Sequence, residues 1–367
     1  MPHPGAFHPR SKFRKLGSDI IERSAADAEI AICLHQIRRA RRQGGTSKHQ
    51  GAKQGSFHHV ASLPTLRYGR CRRNGIDLWW ITHGLSTMTT GRWQLAHGRH
   101  LDLGGKAVIV GILNVTPDSF SDGGLFVAPE QAIAQARRMA EEGASVIDVG
   151  GESTRPGASP VAIEEEQARV LPVIEALAGL GEALISVDTY REDTARLAVA
   201  AGAHILNDVW GLQREPGIAR VAAETGAGLV IMHTGRDRQK LPDVIEDQFF
   251  FLGKSLEIAR RSGVADDQIV LDPGFGFAKE TAEENLDLMA RFSELDVLGF
   301  PLMAGTSRKR FIGAVTGRDA SARDAGTAAT SVILRLKGAR LFRVHDVAIN
   351  VDALAVADAM LARETAE

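Results

Sequence analysis

The sequence predicts an α/β fold, a TIM (β/α)8 barrel. Three observations carry that prediction. Short apolar runs alternate strictly with helix-length stretches, there are eight of each, and together they fill about 260 residues, the length of one such barrel. Nearly every run also ends in a carboxylate, amide, guanidinium or imidazole, the place where a barrel builds its site. A doubly wound open sheet is the alternative. It usually needs fewer strands and often carries a Gly-rich fingerprint after the first, and "GILNVT" is no such fingerprint.

The elements follow in order. The first strand, "AVIVGILN", reads as a run buried on both faces, as parallel strands are, and a helix is expected near 129–142. "ASVIDVG" then precedes a helix near 162–178, "ALISVD" one near 191–201, and "AHILND" one near 215–225. "GLVIMH" leads to 243–262, "DQIVLD" to 281–292, "DVLGFPLMAG" to 321–338, and "ARLFRVHD" to a last helix near 346–363. Gly, Pro, Ser and charge gather in "TPDSFSDGGLF" and "GGESTRPGASPV", which suit mobile covers over a substrate.

The barrel does not account for the front of the chain. Residues 1–92 hold 16 Lys and Arg against 5 Asp and Glu, whereas residues 93–367 hold 28 against 40. No sustained periodicity marks a core in 1–92, so the expected division is a disordered or non-native extension over 1–92 and a catalytic barrel domain over 93–367. A basic arm for an acidic partner or RNA, and an organelle presequence, are the other readings; Met88 offers a natural alternative start.

The whole-chain net charge of −1 points to neither nucleic acid nor membrane, and no apolar run approaches the roughly 20 residues that span a bilayer. Cys33 and Cys71 both lie in the front segment, which excludes a disulfide framework for the barrel and fits a reducing, cytoplasmic setting.

Two chemical subsets emerge at the strand ends. Asp188, Asn207 and Asp272, on the third, fourth and sixth strands, offer acceptors plus one amide, which suits a flat heterocycle presenting several N–H donors. Arg155, Lys309, Arg343 and His345 are donors and cations, suited to phosphate oxygens or an anionic substrate. Arg343 and His345 stand two apart on a strand and so face the same way. The implied ligand is a donor-rich ring joined to a phosphate ester, a description a nucleotide also meets. No Cys, no paired His and no "HExxH" supports a zinc site in the barrel. A Mg²⁺ held by Asn114 and substrate phosphates needs little sequence signal, with Asp118 or Asp122 to assist. For any single Asp or Asn, capping of a turn or helix is the competing explanation.

The motifs "GILNVTPDSFSDGG", "IDVGGESTRPGA", "ISVDT", "HILNDV", "LDPGFGFAK", "GTSRKRFIG" and "RVHDV" occur in the order found in dihydropteroate synthases, folate-biosynthetic transferases inhibited by sulfonamides. The chain resembles that family over roughly residues 106–348 and not at all over 1–92. Methyltetrahydrofolate-dependent methyltransferases share the barrel and the Asp/Asn/Asp pocket, but the "GGESTRPGA" loop, "SRK" and "RVH" are similar to the synthase.

The resemblance implies that Asp188, Asn207 and Asp272 hold the pterin edge and that Lys309 contacts the other side of the ring. It implies that Arg343, His345 and Asn114, through Mg²⁺, bind the diphosphate of 6-hydroxymethyl-7,8-dihydropterin diphosphate. Thr154, Arg155, Pro156 and Phe277, with Arg310, would border the p-aminobenzoate pocket, and Asp118 would face charge developing on the pterin methylene. A homodimer is implied as well. "MHTGRDRQKLPDV" departs from the family's "MHMQG" type of segment, and Arg310 stands where many members have Ser. A pterin methyltransferase or corrinoid partner, and a non-catalytic paralogue, are the competing functions.

Overall fold

The computed structural model describes residues 91–116, 128–153 and 160–364. Expectations for 1–90, for Asp118 and Asp122, and for Thr154, Arg155 and Pro156 lie outside the described residues.

The eight strands are present and parallel. They are β3 (Val108–Asn114), β4 (Val146–Gly150), β5 (Leu184–Asp188), β6 (Ile205–Asp208), β7 (Gly228–Met232), β8 (Ile269–Asp272), β9 (Met303–Ala304) and β10 (Leu341–Val344). The ladder runs β8-β7-β6-β5-β4-β3-β10-β9, and a parallel bridge from Leu271 to Leu302 brings β8 back to β9. Helices alternate with them: α1 (Ala128–Glu141), α2 (Ile163–Leu180), α3 (Glu192–Ala200), α4 (Gly217–Thr225), α5 (Val244–Arg261), α6 (Ala282–Ala290), α7 (Arg310–Thr316), α8 (Asp324–Leu336) and α9 (Val347–Glu364).

Local chemistry explains the clearest helix starts. The Asp243 carboxylate accepts from the Ile245 and Glu246 amides at the head of α5, and Thr281 with Glu284 forms a reciprocal capping box on α6.

Three features differ from the expected elements. The run "DVLGFPLMAG" is mostly not strand: residues Phe292–Leu298 form 3-10 turns that stop at Gly299, whose φ of 79° takes the chain out of them. Pro301 then has no N–H for a ladder, although its carbonyl accepts from Leu271 at 2.9 Å. That leaves a two-residue β9. Short α7 also precedes α8 where a single helix was expected.

The third difference is below the barrel. Residues Arg92–Gln94 (β1) and His100–Asp102 (β2) form an antiparallel hairpin with Trp93 opposite Leu101. Trp93, Leu95 and Leu103 pack in one cluster with Val108, Val110, Val146, Leu184, Ile205, Val230, Val270, Met303 and Leu341, the inward residues of the barrel's lower half. Trp93 also donates its indole N–H to the Gln268 carbonyl at 2.7 Å. The plug presses so closely that a Cβ on Gly228 would stand 2.4 Å from Leu95 Cδ2, which only glycine avoids.

The second apolar cluster fills the space between strands and helices. Because side chains alternate along a strand, the positions above the inward apolar residues also face the interior. Those positions are Asp148 above Val146, Asn207 above Ile205, Asp272 above Val270 and Arg343 above Leu341. The barrel is therefore apolar below and charged above.

Candidate active site

Strand register builds the mouth. Asn114 pairs with Gly150, Gly150 with Asp188, and Asp188 with Asn207, so three polar side chains share one row with a gap at the glycine. A Cβ at Gly150 would lie 3.6 Å from Asp188 Cβ and 3.8 Å from Asn114 Oδ1. The missing side chain keeps that part of the row open.

Arg343 crosses from β10 into this row. Its Nε donates to Asp148 Oδ2 at 2.6 Å and its Nη2 to Asp188 Oδ2 at 2.8 Å. Asn207 Nδ2 donates to the same Asp148 oxygen at 3.1 Å. Burial pushes Asp188 up to about 7 against the pull of Arg343, with Asp148 adding to the rise. The Arg343 guanidinium is held above its ordinary value because Asp148 and Asp188 outweigh its own burial.

Asp272 and Lys309 form the opposite wall. Asp272 Oδ1 accepts from the Gly274 amide at 2.7 Å; burial raises this carboxyl, and Lys309 opposes the rise. Lys309 donates to the Phe275 carbonyl, and its ammonium lies 4.6 Å from the centre of the Phe277 ring. Burial lowers it to about 7, opposed by Asp272.

From Phe277 a ladder of cations and rings continues across the mouth. Arg236 lies 4.7 Å from Phe277 and 5.9 Å from Trp210, and Arg214 lies 4.6 Å from Trp210 and 4.3 Å from Tyr190. Tyr190, Trp210, Arg214 and Arg236, with Asp188, Thr189 and Val209, line a cavity of about 150 Å³.

His345 is set by Ser307: its Nδ1 lies 2.9 Å from the Ser307 hydroxyl, which also accepts from the His345 amide at 3.1 Å. Arg310 opens α7 and is exposed.

Other strand-end residues serve the scaffold. Asp208 accepts from the Trp210 and Leu212 amides, Asp346 from the Ile349 amide, and Arg308 makes a two-pronged pair with Asp324 at 2.7 and 2.8 Å. His233, deeply buried, has Nε2 2.9 Å from Asp247 and Nδ1 3.1 Å from Lys279 Nζ; burial lowers it to about 3. Sequence reasoning gave no role to Lys279, Tyr190, Trp210 or Arg214. Lys279 stood seven residues past Asp272 in the quoted motif, but nothing local says that it turns back to bond the Gly274 carbonyl at 2.8 Å.

An acceptor-lined floor facing a set of cations at the C-terminal mouth of a TIM barrel defines the class: this chain is a pterin-binding enzyme, and the model of that family, described as "Pterin binding enzyme", matches residues 110–345. Within that class it belongs to the dihydropteroate synthase family, which makes it a transferase. The dihydropteroate synthase of Bacillus subtilis is 45% identical over 256 residues, 70% of this chain and 89% of that protein. A Xanthomonas albilineans dihydropteroate synthase structure with 4-aminobenzoic acid superposes with a TM-score of 0.71 at 44% identity, covering 75% of this chain and 99% of that one. The same enzyme in complex with 7,8-dihydropteroate gives 0.67 at 42%, covering 73% and 99%.

Proposed function

We propose that this chain joins 6-hydroxymethyl-7,8-dihydropterin diphosphate to p-aminobenzoate, releasing 7,8-dihydropteroate and diphosphate. One observation carries the reading: an acceptor set (Asp188, Asn207, Asp272) and a donor set (Lys309, Arg343, His345) share one mouth, and Arg343 physically joins them through Asp188. The acceptors suit the N–H edge of the pterin, and the donors suit the departing diphosphate. The p-aminobenzoate nitrogen attacks the pterin methylene, the carbon–oxygen bond breaks with its electron pair leaving on diphosphate, and the amine proton passes to solvent. No side chain forms a covalent bond.

Phe277, flanked by Lys309 and Arg236, is suited to the aromatic ring and carboxylate of p-aminobenzoate. Thr154, Arg155, Pro156, Arg310 and Asp118 are proposed to complete that pocket and the cover over it.

The residues present fit a Mg²⁺. Asn114 supplies one neutral oxygen beside the space that Gly150 leaves open, and among the described residues no cluster of three His, Cys, Asp or Glu competes for a softer metal. When bound, the ion would help neutralise the diphosphate.

Assembly as a homodimer is part of the proposal. Ile333 and Leu336 on α8, Val356 and Met360 on α9, and Val315 on α7 are exposed apolar side chains on sequence-adjacent helices, a face suited to a second copy. No helix among the described residues is long and apolar enough to cross a membrane. A cytoplasmic setting is proposed, in keeping with a barrel that contains no cysteine.

The test is diphosphate release from the pterin diphosphate with Mg²⁺, with and without p-aminobenzoate. Strong dependence on p-aminobenzoate is expected; equal rates in the two arms would reject the assignment.

A further inference from the structure

Asp148 holds no ligand role above, yet it touches a residue of each half of the mouth. It lies on β4 beside Ile112 and Ser186, one inward position below Gly150, and is 1% exposed. A buried residue beneath the ligand row could simply have been apolar, like Val146 below it. Instead its Oδ2 accepts both Arg343 Nε at 2.6 Å and Asn207 Nδ2 at 3.1 Å.

We propose that Asp148 is the positioning residue that turns the Asn207 amide so that its oxygen faces the pterin, and that fixes the plane of Arg343 for the diphosphate. The proposal rests on the function assigned above. A carboxylate accepting from a guanidinium can only accept, so it draws the NH₂ end of Asn207 toward itself. The amide is planar, and its Oδ1 is thereby directed away from Asp148, as an acceptor for the ring. Without that partner the two amide orientations differ little, and half of them would meet the ring's N–H with another N–H.

The same oxygen holds Arg343 through Nε while Asp188 takes one Nη2 hydrogen, which fixes the fork at two points. Three of the five N–H groups remain for an anion.

The other Asp148 oxygen, Oδ1, has no hydrogen-bond partner among the described residues. A buried acceptor without a donor works against folding, so stability alone does not account for the residue. Because the ring-reading amide and the anion-binding guanidinium rest on one oxygen, occupancy of either half is felt by the other.

The test uses Asp148→Asn and Asp148→Glu in the full chain. An asparagine at that position could donate to Asn207 and let its amide turn over; a glutamate keeps the charge but displaces it by a methylene. Equilibrium binding of the dihydropterin alcohol, which lacks diphosphate, is expected to weaken on the order of tenfold in either folded variant, with KM for p-aminobenzoate unchanged. A merely structural role would lower the melting temperature and leave that dissociation constant in place, which would overturn the proposal.

A third measurement needs no variant. In the native protein, saturating inorganic diphosphate should shift the Asn207 side-chain amide resonances; unmoved resonances would equally overturn it. Loss of p-aminobenzoate-dependent diphosphate release is a separate matter: its absence in the native enzyme rejects the function, whereas its presence with unchanged ring affinity in the variants rejects only the role of Asp148.

Discussion

Replacing Asp188 by Asn tests the ring-binding floor at its most sensitive point. Asp188 sits beside Asp148 and Arg343, and burial raises it to about 7. A carboxyl whose two oxygens both accept, one of them already from Arg343, carries no proton, so affinity that depends on it is lost as pH falls through about 7. One proton is released per ligand bound below that value. The dissociation constant of the dihydropterin alcohol should therefore rise by on the order of fifteenfold between pH 7 and 5.5, approaching tenfold per pH unit only well below 7.

Choosing the alcohol keeps the titration of a phosphate ester out of the result. Asp188→Asn should bind this ligand on the order of a hundredfold more weakly at pH 8, because an amide N–H opposes a ring N–H where a charged acceptor stood. It should also lose the acid slope. The stability sign is the reverse of the binding sign. A carboxyl raised in the folded state contributes stability that is fully present below its unfolded value and lost as pH rises through about 7. The native protein should thus show a decline over that window which the variant lacks. Calorimetric titration at five pH values and thermal melts give both readouts. Parallel pH slopes in the native and variant proteins would refute the reasoning, since the titrating group would then lie elsewhere.

Three further outcomes are expected. Gly274→Ala forces a Cβ to within 2.0 Å of the His233 carbonyl at a φ of 63°; a loss of more than about 2 kcal/mol is expected in urea titration, together with weaker pterin binding, because the Gly274 amide anchors Asp272. Trp93→Ala removes the largest side chain of the floor plug and should cost roughly 3–5 kcal/mol; an unchanged urea midpoint would show that the hairpin is not part of the folded core. A chain starting at Met88 retains the whole plug and should keep its kcat and melting temperature; loss of either would assign residues before 88 a function.

Much of this protein was legible locally. The alternation of apolar runs with helical stretches anticipated all eight strands in order, and the strand ends held Asp188, Asn207 and Asp272 where the structure has them. The seventh strand misled because "DVLGFPLMAG" is apolar throughout, and hydropathy does not register the turn at Gly299 or the N–H missing at Pro301. The hairpin at 92–102 went unread because its strands are three residues each, too short for a period-two pattern.

Strand periodicity and turn chemistry are properties of neighbouring residues, and for that reason the sequence by itself determined the barrel and put Asp188, Asn207 and Asp272 at its strand ends. It could not say which polar groups touch. Asp148 and Arg343 meet although 195 residues separate them along the chain, a contact created only when β10 closes against β3. Register likewise decided that Asp188 is buried near Asp148 and titrates near neutrality, while His233 turns into a scaffold network with Asp247 and Lys279. Burial and pairing depend on the positions of all eight strands together, and those exist only in the closed fold.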